Sequence, residues 1–230
     1  MHCKNGRIFD YFCSRTFKNQ DYEVLGALID ALSSAVGSLT NSHNLAYAAG
    51  SLMKRSTSDH TIKNYLDYLE DAYLFVSAQR YDIKGKKYFE NKLKYYSIDT
   101  GLRNAKLNYR QQEKSHLMEN MIFVELIRRG YNVDVGVVEV TVVKDGKKQQ
   151  SQYEIDFIVN TGHDKVYIQS ALNVDTDAKK KQETFSLRNS GDSFRKIVIL
   201  DGNAKPWTDE DGIIYIGVIP FLLEEIGNII

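Results

Sequence analysis

The stretch Tyr153-Glu154-Ile155-Asp156-Phe157-Ile158-Val159-Asn160, a turn at Thr161-Gly162-His163-Asp164, and then Val166-Tyr167-Ile168-Gln169-Ser170-Ala171-Leu172 decides the fold. Both arms alternate in hydropathy, the signature of paired strands. In the first arm, alternation sets Tyr153, Ile155, Phe157 and Val159 on one face and Glu154, Asp156 and Ile158 on the other. In the second, Tyr167, Gln169 and Ala171 share a face.

Upstream, residues 115–129 form a helix that is apolar on most sides and predicts a core position. Its two glutamates differ in setting. Glu125 has Arg128 and Arg129 three and four residues on, the spacing of an ordinary surface pair. Glu119 has Ile122, Phe123 and Leu126 as its helical neighbours, and a carboxylate on such a stripe is costly unless it is paired or bound to a cation. A helix glutamate, a strand aspartate and a polar residue on the next strand are the parts of a metal-dependent nuclease site. Glu119, Asp156 and Gln169 are therefore the catalytic candidates, with Glu119 and Asp156 as ligands for Mg or Mn. These parts resemble those of PD-(D/E)xK nucleases, and the third departs from that family's Glu-x-Lys: Gln169 stands where the resemblance implies a carboxylate to hold the cation, and Ala171 where it implies a lysine to assist the attacking water.

Around this core the pattern predicts strands over 131–143 and 149–160, joined at Lys144-Asp145-Gly146-Lys147, then a helix over 178–187 after Asp175, Thr176 and Asp177. A strand over 196–200, a short strand over 213–216 and a final helix opened by Pro220 complete it. Trp207, in a turn-rich stretch, reads as a packing cover rather than a base-stacking platform.

The preceding sequence predicts three helices: 20–35, a short one over 44–49 ended by Gly50, and one after Thr57-Ser58-Asp59 with Ile62, Tyr65, Leu66, Leu69 and Tyr73 on a stripe. Strand-like runs over 74–81 and 88–98 follow, joined by the basic tip Asp82-Ile83-Lys84-Gly85-Lys86-Lys87. Three helices and a basic hairpin predict a winged helix, in which the third helix enters a major groove and the hairpin reaches the backbone. Its nucleic-acid-binding candidates are Arg55, His60, Lys63, Asn64, Lys84, Lys86 and Lys87. Use of the same fold for protein docking stays open, because fold does not dictate function.

Nine basic residues against three acids between Arg80 and Arg110 make a local basic patch in a chain of zero net charge, whereas six acids face Lys205 alone from Asp201 on. No apolar run is long enough to span a bilayer, and the first residues lack the apolar core of a signal peptide, so a cytoplasmic location without membrane contact is expected. Cys3 and Cys13 read as free thiols.

The fold class that emerges is a mixed α+β or α/β chain: a lead segment over 1–19, a winged-helix-like domain over 20–110, and a restriction-endonuclease-like mixed sheet flanked by helices over 111–230. The order helix-Glu, hairpin, strand-Asp, strand-Gln, helix, strand resembles the PD-(D/E)xK fold. More specifically, Asn64-Tyr65-Leu66-Asp67-Tyr68-Leu69-Glu70, Tyr95-Tyr96-Ser97-Ile98-Asp99-Thr100-Gly101-Leu102-Arg103-Asn104, Glu119-Asn120, Glu125-Leu126-Ile127-Arg128-Arg129-Gly130 and Glu154-Ile155-Asp156-Phe157 resemble the C-terminal DUF4143 region of a prokaryotic family of AAA-type ATPases. That resemblance implies an upstream ATPase domain or partner protein. No nucleotide-binding loop occurs here, since neither Gly85-Lys86 nor Gly146-Lys147 has the required glycine or Ser/Thr, so no ATPase activity is expected of these residues. Three functions remain open on these grounds: a DNA-binding or regulatory module with a weakened nuclease-like domain, a metal-dependent DNA endonuclease, and a protein-docking module.

Overall fold

The computed structural model describes residues 21–223 except 55, 112, 145, 146 and 163, so Cys3, Cys13 and Arg55 lie outside the described residues. Along the chain the elements are α1 (Tyr22–Ser34), β1 (Leu39–Thr40), α2 (Ser42–Met53), α3 (Asp59–Asp71), β2 (Phe75–Ala78), β3 (Arg80–Asp82), β4 (Lys87–Tyr88), β5 (Leu93–Ser97) and α4 (Thr100–Lys106). They continue with α5 (Lys114–Arg128), β6 (Asn132–Lys144), β7 (Lys147–Asn160), β8 (Lys165–Ala171), α6 (Asp177–Arg188), β9 (Arg195–Leu200), β10 (Trp207–Thr208), β11 (Ile214–Gly217) and α7 (Val218–Leu223). These form two compact units, one ending at Ser77 and resuming over Asn91–Glu113, the other made of Ala78–Glu90 and the chain from Lys114 onward.

In the first unit, capping side chains start the helices. Asp21 accepts from Glu23 N and Val24 N, Asn41 from Asn44 N, and Ser58 from Thr61 N. Their apolar stripes, Val24, Leu25, Leu28 and Leu32 of α1 and Ile62, Tyr65, Leu66 and Leu69 of α3, are buried. Helix α2 runs through Gly50 and ends only at Lys54, which takes a left-handed φ of 57°. Gly50 is thus helix interior, not the stop its composition predicts, because the adjoining Ala49 is fully buried and holds that turn in the core. Strand β5 lies between β1 and β2.

The basic hairpin does not behave as a wing. The strand expected over 74–81 breaks at Gln79, whose carbonyl accepts from Val135 N, and β3 pairs in parallel with β6 from Arg80↔Val135 to Asp82↔Val137. Ile83 supplies the reason: it is 7% exposed and packs with Val138, Ile155 and Ile158, burial that a free-standing wing would forfeit. Lys84, Lys86 and Lys87 therefore belong to the second unit.

That unit is an eight-stranded mixed sheet of order β10-β11-β9-β8-β7-β6-β3-β4. Helix α5 packs on β6, β7 and β8, with Phe123 against Phe157, their ring centroids 6.1 Å apart. Helix α6 packs on β7 and β8, where Leu187 joins Ile155, Ile158, Tyr167, Ala171, Val198 and Tyr215 in one apolar cluster. Ile155 and Ile158 sharing that cluster is a departure from strict alternation. The β6–β7 register passes from Asp134↔Ile158 to Gly136↔Ile155, so β7 carries one extra residue at Asp156-Phe157, a β-bulge. Gly136 lets the strands close over it. An added Cβ would meet Ile155 Cβ at 3.0 Å, Ile83 Cδ1 at 3.1 Å and Ile158 Cδ1 at 3.2 Å. Gly136→Ala is expected to destabilise by about 1–3 kcal/mol, read as a lower urea midpoint with an unchanged slope.

Candidate functional site

The bulge opens the sheet. Strands β7 and β8 pair only from Phe157↔Ile168 to Asn160↔Lys165, while β8 stays paired with β9 as far as Ala171↔Leu200. In the fork between them the Asp156 carboxylate does what the missing ladder would have done. Its Oδ2 accepts from Ser170 N at 2.8 Å and from Gln169 Nε2 at 3.0 Å. Asp156 is 8% exposed, so these are hydrogen bonds shielded from water, the strongest kind a carboxylate forms with neutral donors. The fork opens on a cleft of about 570 Å³ lined by Tyr153, Glu154, Gln169 and, from α6, Lys181, Gln182 and Phe185.

Asp156 and Gln169 are thus brought together, as the sequence predicts. Their donor set does not fit a divalent ion. Asp156 Oδ2 already receives two N–H groups, and among the described residues no group of three or more His, Cys, Asp or Glu side chains could hold a metal. Hard cations of the Mg or Mn type need several oxygen ligands, and Glu119, half-buried on α5, does not complete such a group. Gln169 Oε1 is buried without a hydrogen-bond partner in the protein; the amide is oriented this way because the carboxylate demands its N–H face. Ala171, 4% exposed, lies in the apolar cluster with Leu187 and Tyr215, so the position where a lysine was sought is a core position.

Of the two glutamates of α5, Glu125 makes the arginine pairs its spacing predicts, but not at the surface. Glu125 is the buried one, 9% exposed, with Arg128 Nε and Nη2 donating to it at 2.7 Å and Arg129 Nε at 2.6 Å. Arg128 and Arg129 hold its carboxyl below the usual range against the opposing effect of burial. Arg129 also donates to Phe221 O at 2.9 Å, so the pair ties α5 to α7. The arginine spacing reads identically for an exposed and a buried pair, so spacing alone does not show that Glu125 is buried.

The nucleic-acid candidates divide between the units. His60 and Lys63 are exposed on α3, and Asn64 Nδ2 lies 3.4 Å from His60 Nδ1. Lys84, Lys86 and Lys87 are exposed on the β3–β4 hairpin of the other unit, where Lys84 Nζ donates to Glu139 O at 2.9 Å. Composition alone did not single out Asp209. Burial opposes its ionisation, but Ile213 N–H, Lys180 and Tyr215 together hold its carboxyl low. Trp207 stacks on Tyr215 at 4.0 Å and 5°, a cover for this edge of the sheet.

A family called a domain of unknown function, DUF8612, matches residues 13–113. This match corrects the DUF4143 resemblance, and the ATPase context which that resemblance implied loses its basis. An uncharacterized protein of Haemophilus influenzae is 36% identical over 205 residues, 89% of this chain and 47% of that protein. Uncharacterized protein MJ1544 of Methanocaldococcus jannaschii is 31% identical over 125 residues, 54% of this chain and 25% of its own length. The chain therefore spans half or less of the curated relatives it matches. The solved structure of protein VC1899 from Vibrio cholerae aligns with 88% of this chain and 55% of its own, at 15% identity and a TM-score of 0.31. No helix among the described residues is long and apolar enough to cross a membrane.

Proposed function

We propose that this chain is a DNA-binding module whose second unit is a restriction-endonuclease-like sheet that has given up metal-dependent cleavage. Support for the sheet assignment comes from the order α5, β6, β7, β8, α6, β9, with an antiparallel meander followed by a parallel β8–β9 pair. Support for a winged helix in the first unit comes from its order of helix, strand, two helices and two strands, with β5 between β1 and β2. The observation that carries the reading is the 3.0 Å bond from Gln169 Nε2 to Asp156 Oδ2. Two carboxylates at these positions would repel each other and need a cation between them; an amide donor satisfies Asp156 directly and makes the cation unnecessary. With Ala171 buried, no ammonium projects from that position of β8 to stabilise a developing charge.

The test is to incubate the purified chain with linear and supercoiled DNA in magnesium or manganese while measuring binding by fluorescence anisotropy. Binding that weakens steeply with salt, with the DNA left intact, is the expected result. Cleavage that disappears in Asp156→Asn would instead make the chain an endonuclease. A second reading, protein docking by the first unit, draws on α2, where Tyr47 and Leu52 are 80% and 59% exposed. It predicts no salt-sensitive DNA binding at all.

A further inference from the structure

Strands β6 and β7 are 13 and 14 residues long, about twice the seven of β8, and the excess has to go somewhere. Strand β3 accompanies β6 only as far as Val137, and β8 accompanies β7 only from Phe157. Between those limits the two strands pair with each other alone among the described residues, from Val138↔Tyr153 to Lys144↔Lys147, as a two-stranded ribbon projecting past the sheet. Its outer part is exposed and mostly polar, with Val143 the exception at 69% exposed. Lys147, Lys148, Gln149 and Gln150 are all open to solvent, as are Thr141 and Val143 opposite them.

The root of the ribbon is fixed by the β3–β4 hairpin. Arg80 Nη2 donates to Gln152 Oε1 at 3.3 Å, Gln152 Nε2 donates to Glu139 Oε1 at 3.0 Å, and Lys84 Nζ donates to Glu139 O. The Arg80 guanidinium in turn lies 4.7 Å over the Phe89 ring. Glu139, the one acidic side chain among the described residues of the paired stretches 138–144 and 147–153, is thereby engaged, while Lys86 and Lys87 of the hairpin and Lys147 and Lys148 further out remain exposed. Because β3 runs parallel to β6, the hairpin tip and the ribbon leave the sheet at the same end.

We propose that this ribbon, with the lysines at its root, is the surface that docks on duplex DNA, the ribbon entering a major groove and the two lysine sets reaching the flanking phosphates. The inference rests on the DNA-binding reading above and names the element that does the binding. A major groove about 12 Å wide admits a two-stranded ribbon. Glu139, where Lys84 anchors, and Val143, which faces Lys148, are four strand steps apart, a run of about 14 Å at strand rise, comparable with the width of the groove. Gln149 and Gln150 point to opposite faces of the ribbon, so whichever face meets the groove floor presents a donor and an acceptor of the type that reads base edges. Helix α3 is the weaker candidate, since its first turn carries Asp59 and its last Glu70 and Asp71.

The test uses the full chain and a short fluorescent DNA duplex, titrated over a range of salt. Lys147→Gln with Lys148→Gln should weaken binding by roughly tenfold and reduce the slope of log K against log salt by about 1.8, the equivalent of two phosphate contacts. Lys147→Arg with Lys148→Arg should bind as wild type, and circular dichroism should show both double variants folded, as their exposed positions imply. Lys86→Gln with Lys87→Gln should lower the slope by a similar amount, and a single-stranded competitor should displace the duplex poorly. Ribbon variants that bind like wild type while Lys63→Gln loses binding would overturn the ribbon and leave the DNA-binding reading standing. Wild-type protein without salt-dependent binding would remove both.

Discussion

Asp156→Ala should lower stability by roughly 2–4 kcal/mol, whereas Asp156→Asn should cost only about 1 kcal/mol, because alanine strands two buried donors and asparagine strands neither. In the wild type Ser170 N and Gln169 Nε2 both end on Asp156 Oδ2, at the point where β7 bulges. Asparagine with its oxygen in the Oδ2 position accepts from both Ser170 N and Gln169 Nε2, as the carboxylate does. A urea titration of the three proteins with and without magnesium separates a strand-bridging carboxylate from a metal ligand. The expected pattern is alanine well below asparagine, asparagine near wild type, and no magnesium-dependent shift. A wild-type midpoint that rises with magnesium or manganese and loses that rise in Asp156→Asn would make Asp156 a metal ligand.

The contrast between Asp156 and its surroundings also explains which features were legible beforehand. Period and capping residues placed α1, α3, α5 and α6 and the three long strands to within a few residues, since burial of one stripe and satisfaction of the first N–H groups are local requirements. The meeting of Asp156 with Gln169 was also legible, as neighbouring strands joined by a short turn have little choice of register. What escaped was decided by partners far along the chain. Ile83 looks like one apolar residue in a basic loop until β6 provides a parallel edge for Arg80–Asp82. The bulge is invisible because Ile155-Asp156-Phe157-Ile158 reads as plain alternation, and only Gly136, twenty residues away, marks where the strands close. The ribbon follows from strand lengths rather than from any one residue, since a 14-residue strand beside a seven-residue one must project.

Glu125→Ala should be as damaging, at about 3–4 kcal/mol, because it leaves the Arg129 guanidinium buried without its counter-charge. The Arg129 side chain is 14% exposed and that of Glu125 11%, whereas Arg128 is 67% exposed and can return to water, so the loss falls on Arg129. The effect must depend on pH in a definite sense. The arginines hold the folded carboxyl below its unfolded value, so its contribution is present in full above the ordinary glutamate pKa and is lost as pH falls through the lower folded value. Wild type and Glu125→Ala should therefore differ most near neutrality and converge in acid. Asp134, which burial raises, and Asp209, which its partners lower, titrate in both proteins and cancel in the difference. The damage should also be local. Arg129 holds Phe221 O and lies 5.3 Å over the Phe221 ring, so amide exchange in Val218–Leu223 should accelerate in the variant before the central strands respond. A gap that stays constant down to strongly acidic pH would mean that Glu125 acts through packing rather than charge, and Glu125→Gln, which keeps the shape, would then restore the wild-type midpoint.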